Sequence, residues 1–142
     1  MEDYEVNVKE NRKRNDKFLN EFETYLKKNK LSDKTIRNHV SNVDLYINEF
    51  LNYYDVTKME DGMFEIGMFL GDWYVRKCLW STSSNLKTTA ASIKKFYKCM
   101  SEAGYVDSNE YKKFCSFVKE GMDDWISEMD DYNNFDEDDI FW

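Results

Sequence analysis

The chain of 142 residues fits a single domain that can bury a sizeable hydrophobic core. Aromatic residues make up 17% of it, which argues against a disordered protein, and no run of 18 apolar residues is present, so no transmembrane helix is expected. The net charge of −8 is unevenly distributed, because residues 1–100 hold 17 basic and 15 acidic residues whereas residues 101–142 hold 3 basic and 13 acidic. A nearly neutral body with an acidic end leaves nucleic-acid binding open.

The composition also bears on architecture and compartment. With no proline and 5 glycines, the sequence favours long helices joined by short loops. The N-terminus lacks the apolar core of a signal peptide, and Cys78, Cys99 and Cys115 form no C-x-x-C pair. We therefore expect a cytoplasmic protein with reduced thiols.

Apolar residues recur at spacings of three and four in five segments, which predicts five amphipathic helices and no strand. The helices are expected at about residues 12–29, 33–54, 62–79, 84–102 and 107–130. The positions expected to face inward are Phe18, Leu19, Phe22, Tyr25, Leu26, Ile36, Val40, Val43, Ile47, Phe50, Leu51, Tyr54, Met63, Ile66, Leu70, Trp73, Leu86, Ala90, Ile93, Tyr97, Met100, Tyr111, Phe114, Val118, Trp125 and Met129. The fold predicted from this pattern is all-α, with one helical bundle over residues 1–130 and a mobile acidic–aromatic tail over residues 131–142.

Turn and capping residues mark the ends of these predicted helices. Ser32 or Asp33 can cap the second helix, and "WSTSSN" precedes the fourth. Gly104 is a natural C-terminal cap for the fourth helix. The spacing of Asp107 and Glu110 is similar to that of a capping box at the start of the fifth.

The sequence gives little support to catalysis. His39 is the only histidine, and its neighbours include no obvious charge-relay partner. No G-x-S-x-G, P-loop or G-x-G-x-x-G motif is present. The aspartates near the C-terminus lack the glycine and the final glutamate of an EF-hand loop. We therefore expect a non-catalytic protein without a metal or cofactor.

Basic and hydroxyl side chains gather at two places. The first turns of the second helix carry Lys34, Thr35, Arg37 and Asn38, and the fourth helix carries Lys87, Lys94 and Lys98 on one stripe, flanked by Thr88 and Lys95. Hydroxyls, amides and free backbone N–H groups at a helix start can bind phosphate, and lysines supply positive charge. These nine residues are the candidate nucleic-acid contacts, although lysines also cover ordinary solvent-exposed helices.

Two stretches resemble a known domain. "FLNEFETYLKKNKLSDKTIRNHVSNVDLYINEFL" is similar to the opening helices of the N-terminal core-binding (SAM-like) domain of tyrosine recombinases and phage integrases, and "TTAASIKKFYKCMSEAGYVDSN" resembles its last helix. The resemblance covers roughly residues 15–109 and implies a small helical bundle that clamps DNA. The family's catalytic Arg, His-x-x-Arg and Tyr have no counterpart after residue 109, so this chain is not expected to recombine DNA alone.

Two functions follow as hypotheses. The first is weak, salt-sensitive binding of double-stranded DNA through the two basic patches. The alternative is a protein-interaction or regulatory role, in which the acidic–aromatic tail docks on a partner. The tail residues proposed to make contact are Asp136, Glu137, Asp138, Asp139, Phe141 and Trp142. We also expect this tail to fold back across the lysines of its own chain and compete with DNA.

Overall fold

A computed structural model describes residues 2–77 and 81–140, with side chains described for residues 3–77 and 81–133. It contains five helices, and over these residues no strand is present. The helices are α1 (Glu2–Lys28), α2 (Asp33–Asp44, continued by a π-helical segment Leu45–Phe50), α3 (Ile66–Met68, Phe69–Trp73 and Tyr74–Lys77 in succession), α4 (Ser83–Glu102) and α5 (Ser108–Ile140). Single 3₁₀ turns at Met59–Asp61 and Met63–Glu65 lead into α3. The predicted all-α helical bundle is confirmed.

The helix ends lie close to the predicted capping residues. Ser32, Thr82 and Asp107 each accept a hydrogen bond from the backbone N–H three residues later, over 3.2, 3.1 and 3.1 Å respectively. These bonds satisfy donors that the first turn of a helix leaves unpaired. At the end of α4, Gly104 has φ of 86°, and the chain reverses there with a bond of 2.9 Å from the N–H of Tyr105 to the carbonyl of Met100.

The core forms where the apolar stripes of the five helices meet. Most positions predicted to face inward are buried, including Phe22, Val43, Leu70, Ile93 and Phe114, none of which is exposed at all. One such prediction is wrong, because Tyr54 is 59% exposed. The helical part of this segment ends at Phe50, so its periodicity does not extend to Tyr54.

The first helix begins ten residues earlier than predicted, because polar contacts hold its N-terminal half. Four asparagines that are each 4% exposed or less form an asparagine ladder between α1 and the end of α2: Asn11, Asn15, Asn48 and Asn52. Nδ2 of Asn15 donates to Oδ1 of Asn48 over 2.8 Å, and Nδ2 of Asn11 donates to Oδ1 of Asn52 over 2.9 Å. The hydroxyl of Tyr4 also donates to the backbone carbonyl of Asn52. These contacts extend the α1–α2 interface beyond the apolar stripe.

Three glycines accommodate one tryptophan where α5 packs on α3. A Cβ atom added to Gly71 would lie 3.1 Å from Cδ1 of Trp125, and one added to Gly67 would lie 3.7 Å from its Cζ2. A Cβ atom on Gly121, one turn earlier on α5, would lie 2.4 Å from Cζ2 of the same ring. The indole is 7% exposed, and it fits against both helices because these positions carry no side chain.

The last helix is longer than predicted. The predicted helix end near residue 130 is wrong, because α5 continues to Ile140. No proline or glycine follows Gly121 in the sequence to end the helix earlier. Because a continuous helix carries residues 131–140 onward along the axis of α5, the fold-back of the tail across its own lysines would require this part of the helix, about three turns, to unwind. Of the predicted tail contacts, the side chains of Asp136, Glu137, Asp138 and Asp139 and the whole of Phe141 and Trp142 lie outside the described part.

Candidate nucleic-acid interface

A groove of about 870 Å³ runs between α4 and α5 and collects lysines from both helices. Four of them were predicted from the sequence, and the fifth comes from the facing helix: Lys87, Lys94, Lys95, Lys98 and Lys119. We call this feature the lysine groove. Its remaining wall and floor are formed by Ala90, Ala91, Tyr111, Cys115, Ser116, Val118, Met122 and Asp123.

The amphipathic pattern of α4 explains why these lysines lie together. The helix turns Leu86, Ile93 and Tyr97 into the core, where none of the three is exposed. The next stripe around the helix then points toward α5. Ala90 and Ala91 end at Cβ, so the floor between the two helices stays recessed below the longer lysine side chains. The groove thus combines an apolar floor with a basic rim.

The ammonium groups of the lysine groove have no ionic partners among the described side chains. No described carboxylate lies within 4.0 Å of them, and Asp123 is the one acidic residue among the groove-lining residues. Basic residues elsewhere do form such pairs, as between Arg14 and Glu60 at 2.8 Å. The charge of the groove is therefore available to an anionic ligand.

The basic patch predicted at the start of α2 lies outside the lysine groove. Lys34, Arg37 and Asn38 are exposed, but none of them lines it. The backbone N–H of Thr35, proposed as a phosphate ligand, already donates to Ser32 Oγ over 3.2 Å. This cap reduces the number of free donors at the helix start.

Thr88 is also separate from the groove lysines. Its side chain is exposed, and its hydroxyl donates to the carbonyl of Ser84 over 2.9 Å. The carbonyl of Thr88 accepts a hydrogen bond of 3.1 Å from the hydroxyl of Ser92. The Thr88 hydroxyl is therefore already bonded within α4, and Thr88 does not line the lysine groove.

His39 connects α2 to α4 near one groove lysine. Its Nδ1 lies 2.7 Å from Oγ of Ser92, which is fully buried and also accepts a bond of 3.0 Å from Nδ2 of Asn42. Because the Ser92 hydroxyl donates to a carbonyl, this pattern assigns a hydrogen to Nδ1. Partial burial and the positive charge of Lys95 lower the pKa of His39. The sole histidine thus makes an interhelical contact close to the edge of the lysine groove.

Lys119 is the groove residue that sequence reasoning missed. It lies among the acidic residues of the C-terminal third, and only the packing of α5 on α4 brings it beside the four predicted lysines. The sequence feature that could have indicated it is its position directly after Val118, a predicted core residue, which places Lys119 beside the buried face of the helix.

Neither a metal site nor a membrane span was found in the described part of the chain. No group of three or more His, Cys, Asp or Glu side chains there could hold a metal ion. None of the helices over residues 2–77 and 81–140 combines the length and apolar character needed to cross a membrane.

Comparisons with family models, curated proteins and solved structures found no match to this chain. The resemblance to the recombinase core-binding domain therefore depends on the two sequence stretches quoted above.

Proposed function

We propose that this chain is a non-catalytic, cytoplasmic DNA-binding domain of the recombinase core-binding type. The observation that carries the proposal is the set of five lysines in one groove without ionic partners among the described side chains. Such a row of unpaired ammonium groups is suited to the phosphates of double-stranded DNA. The exposed Lys34, Arg37 and Asn38 of α2 would add contacts outside the groove.

The number of lysines limits the strength of this binding. Lys87 and Lys98 are eleven residues apart on α4, which corresponds to about 16 Å along a helix. If all five groove lysines neutralise phosphates, the logarithm of the binding constant falls with the logarithm of salt concentration at a slope of about −4.5. Binding is therefore expected to be measurable at low salt and weak at physiological salt.

A charge-reversal pair tests the proposal. The variant carries Lys94→Glu and Lys98→Glu, and the matched control carries Lys9→Glu and Lys13→Glu. The control changes the net charge equally at the same four-residue spacing, on an exposed face of α1 that does not line the groove. Fluorescence anisotropy with a labelled mixed-sequence duplex at low salt measures affinity, and circular dichroism checks that each variant keeps its helical content.

We expect the groove variant to lose at least about tenfold in affinity and the control to lose much less. Equal losses in both variants would show that only net charge matters. The proposal is overturned by that result, and equally by failure of the native chain to bind DNA at low salt.

The apolar floor of the lysine groove favours a second candidate function. Ala91, Cys115 and Met122 offer apolar contacts that a sugar–phosphate backbone does not need. A protein segment carrying both acidic and apolar side chains would use the rim and the floor together. This candidate corresponds to a protein-interaction or regulatory module, and an acidic–aromatic peptide that displaces labelled DNA from the groove would support it.

A further inference from the structure

We infer that the lysine groove of one copy receives the acidic C-terminal segment, residues 130–142, of a second copy. The free protein would then associate reversibly into a dimer. This inference does not depend on DNA binding, because it concerns the same groove in the absence of nucleic acid.

The two surfaces have complementary charge. The segment "DDYNNFDEDDIFW" contains six acidic residues and no basic residue. The lysine groove contains five lysines and one carboxylate, that of Asp123. At low ionic strength, lysines at this density attract an acidic segment and repel a basic one.

The apolar parts of the two surfaces also correspond. The segment supplies Phe135, Ile140, Phe141 and Trp142 in addition to its acids. The groove supplies accessible apolar surface from Ala91, Cys115 and Met122 between the lysines. An acidic segment without apolar residues would leave this floor exposed to water, so the composition of the segment fits the groove better than acidity alone would.

The course of α5 explains why the segment must come from a second copy. The groove takes its α5 wall from residues 111–123, and the helix then continues without a break to Ile140. The backbone of residues 131–140 therefore leads away from the groove of its own chain. The lengths agree, because ten helical residues span about 15 Å and the lysines of α4 span about 16 Å.

Each copy carries one groove and one segment, so a two-fold dimer satisfies both at once. In such a dimer the segment of each copy lies in the groove of its partner, and no free groove remains to extend the assembly. The dimer also covers the lysines proposed to bind phosphate, so DNA and the second copy would compete for them.

Charge reversal in the full-length chain tests this arrangement directly. One variant carries Lys94→Glu and Lys98→Glu in the groove, and the other carries Asp138→Lys and Asp139→Lys in the segment. A dimer of either variant alone places like charges opposite each other in both of its contacts. A mixture of the two restores opposite charges in both contacts of a mixed dimer, since each altered groove then meets an altered segment. The Lys9→Glu, Lys13→Glu chain is the control for net charge.

Sedimentation equilibrium at low salt measures the association over about a hundredfold range of protein concentration. We expect the native chain and the control to dimerise, each single variant to dimerise at least about tenfold more weakly, and the equimolar mixture to recover the native affinity. Raising the salt concentration should weaken the native, control and mixed dimers, and it should not weaken the association of the single variants, because salt screens their like-charge repulsion.

A native chain that stays monomeric throughout overturns the inference. Association that survives both charge reversals, or that the mixture fails to restore, also overturns it, because the contact would then lie elsewhere. These outcomes are distinct from failure of DNA binding, since no nucleic acid is present in the experiment.

Discussion

Nδ2 of Asn15 on α1 donates a hydrogen bond of 2.8 Å to Oδ1 of Asn48 on the continuation of α2. The same nitrogen donates to the backbone carbonyl of Ile47 over 3.1 Å. Asn15 is fully buried, and Asn48 is 4% exposed, so neither amide can exchange these bonds for water without opening the interface. The pair therefore fixes how α1 is placed along α2.

Replacing Asn15 by alanine should lower the free energy of unfolding by about 1–3 kcal/mol, because the carbonyl of Ile47 and Oδ1 of Asn48 lose a buried donor. Urea denaturation followed by circular dichroism measures the change. Asn20→Ala is the control on the same helix, since Asn20 is exposed. It should be neutral or slightly stabilising, because alanine is the better helix former. Equal effects of the two substitutions would contradict a special role for the buried pair.

Gly121→Ala should destabilise the protein by about 1–3 kcal/mol, although alanine is favoured over glycine inside a helix by about 1 kcal/mol. The reason is the position of Trp125, whose Cζ2 would lie 2.4 Å from the added Cβ atom. The ring or the helix backbone must shift to relieve this overlap. Thermal unfolding of the single variant gives the sign of the effect.

A second background separates the overlap from other causes. In a chain that carries Trp125→Leu, the indole is gone, and Gly121→Ala should then be neutral or stabilising. A loss of the same size in both backgrounds would show that Trp125 is not the group that excludes a side chain at position 121.

The protonation of His39 should make stability depend on pH. Its pKa in the folded protein is below the ordinary value of 6.5, mainly through burial and then through Lys95. The unfolded chain therefore binds more protons in the window just below 6.5, so stability is present above this value and falls as the pH is lowered through the folded-state pKa. The urea concentration at the unfolding midpoint should therefore decrease as the pH is lowered from about 7.5 to 5.5.

Two variants assign this decrease to His39. In His39→Gln the portion of the slope due to the imidazole should disappear. In Lys95→Gln it should become smaller, because removal of the nearby positive charge raises the pKa of His39. A native slope that both variants retain unchanged would mean that other groups cause it.

The two described cysteines provide a footprint of the lysine groove. Cys115 is half-buried and lines the groove, whereas Cys99 is 6% exposed and burial raises its pKa to about 11. Iodoacetamide at pH 8 should therefore alkylate Cys115 faster than Cys99, because the thiolate is the reacting form and must be accessible. Peptide mass spectrometry measures both rates.

DNA added at low salt should slow the alkylation of Cys115 several-fold and leave the slow rate of Cys99 unchanged. If DNA binds and the Cys115 rate stays the same, the contact lies away from the groove, for example at Lys34 and Arg37 of α2.

Local periodicity was sufficient to predict that five helices exist and roughly where they lie, although not where the first begins or the last ends, and it predicted four of the five groove lysines. The lysines of α4 were placed on one stripe because this helix is regular from Ser83 to Glu102. Lys119 was missed because the apolar periodicity of one helix does not show which other helix packs against it. The groove floor could not be predicted for the same reason, because it is formed by residues of both helices.

Two features were missed for different physical reasons. The asparagine ladder was not predicted, because only apolar residues were used to define the inward face, yet Asn11 and Asn15 precede Phe18 and Phe22 at spacings of three and four, which indicates a shared face. The last helix was predicted to end near residue 130, and the tail beyond it was predicted to be mobile because it is a chain terminus. Helix continuation depends instead on the absence of breakers, and none occurs after Gly121.

The asparagine ladder also has a consequence for the order of assembly during translation. Its side-chain hydrogen bonds between α1 and the α2 region, including the one from Asn11 to the carbonyl of Thr57, close within the first 57 residues. None of these bonds involves a residue of α4 or α5, so the α1–α2 pair can align before the two helices that form the lysine groove have folded.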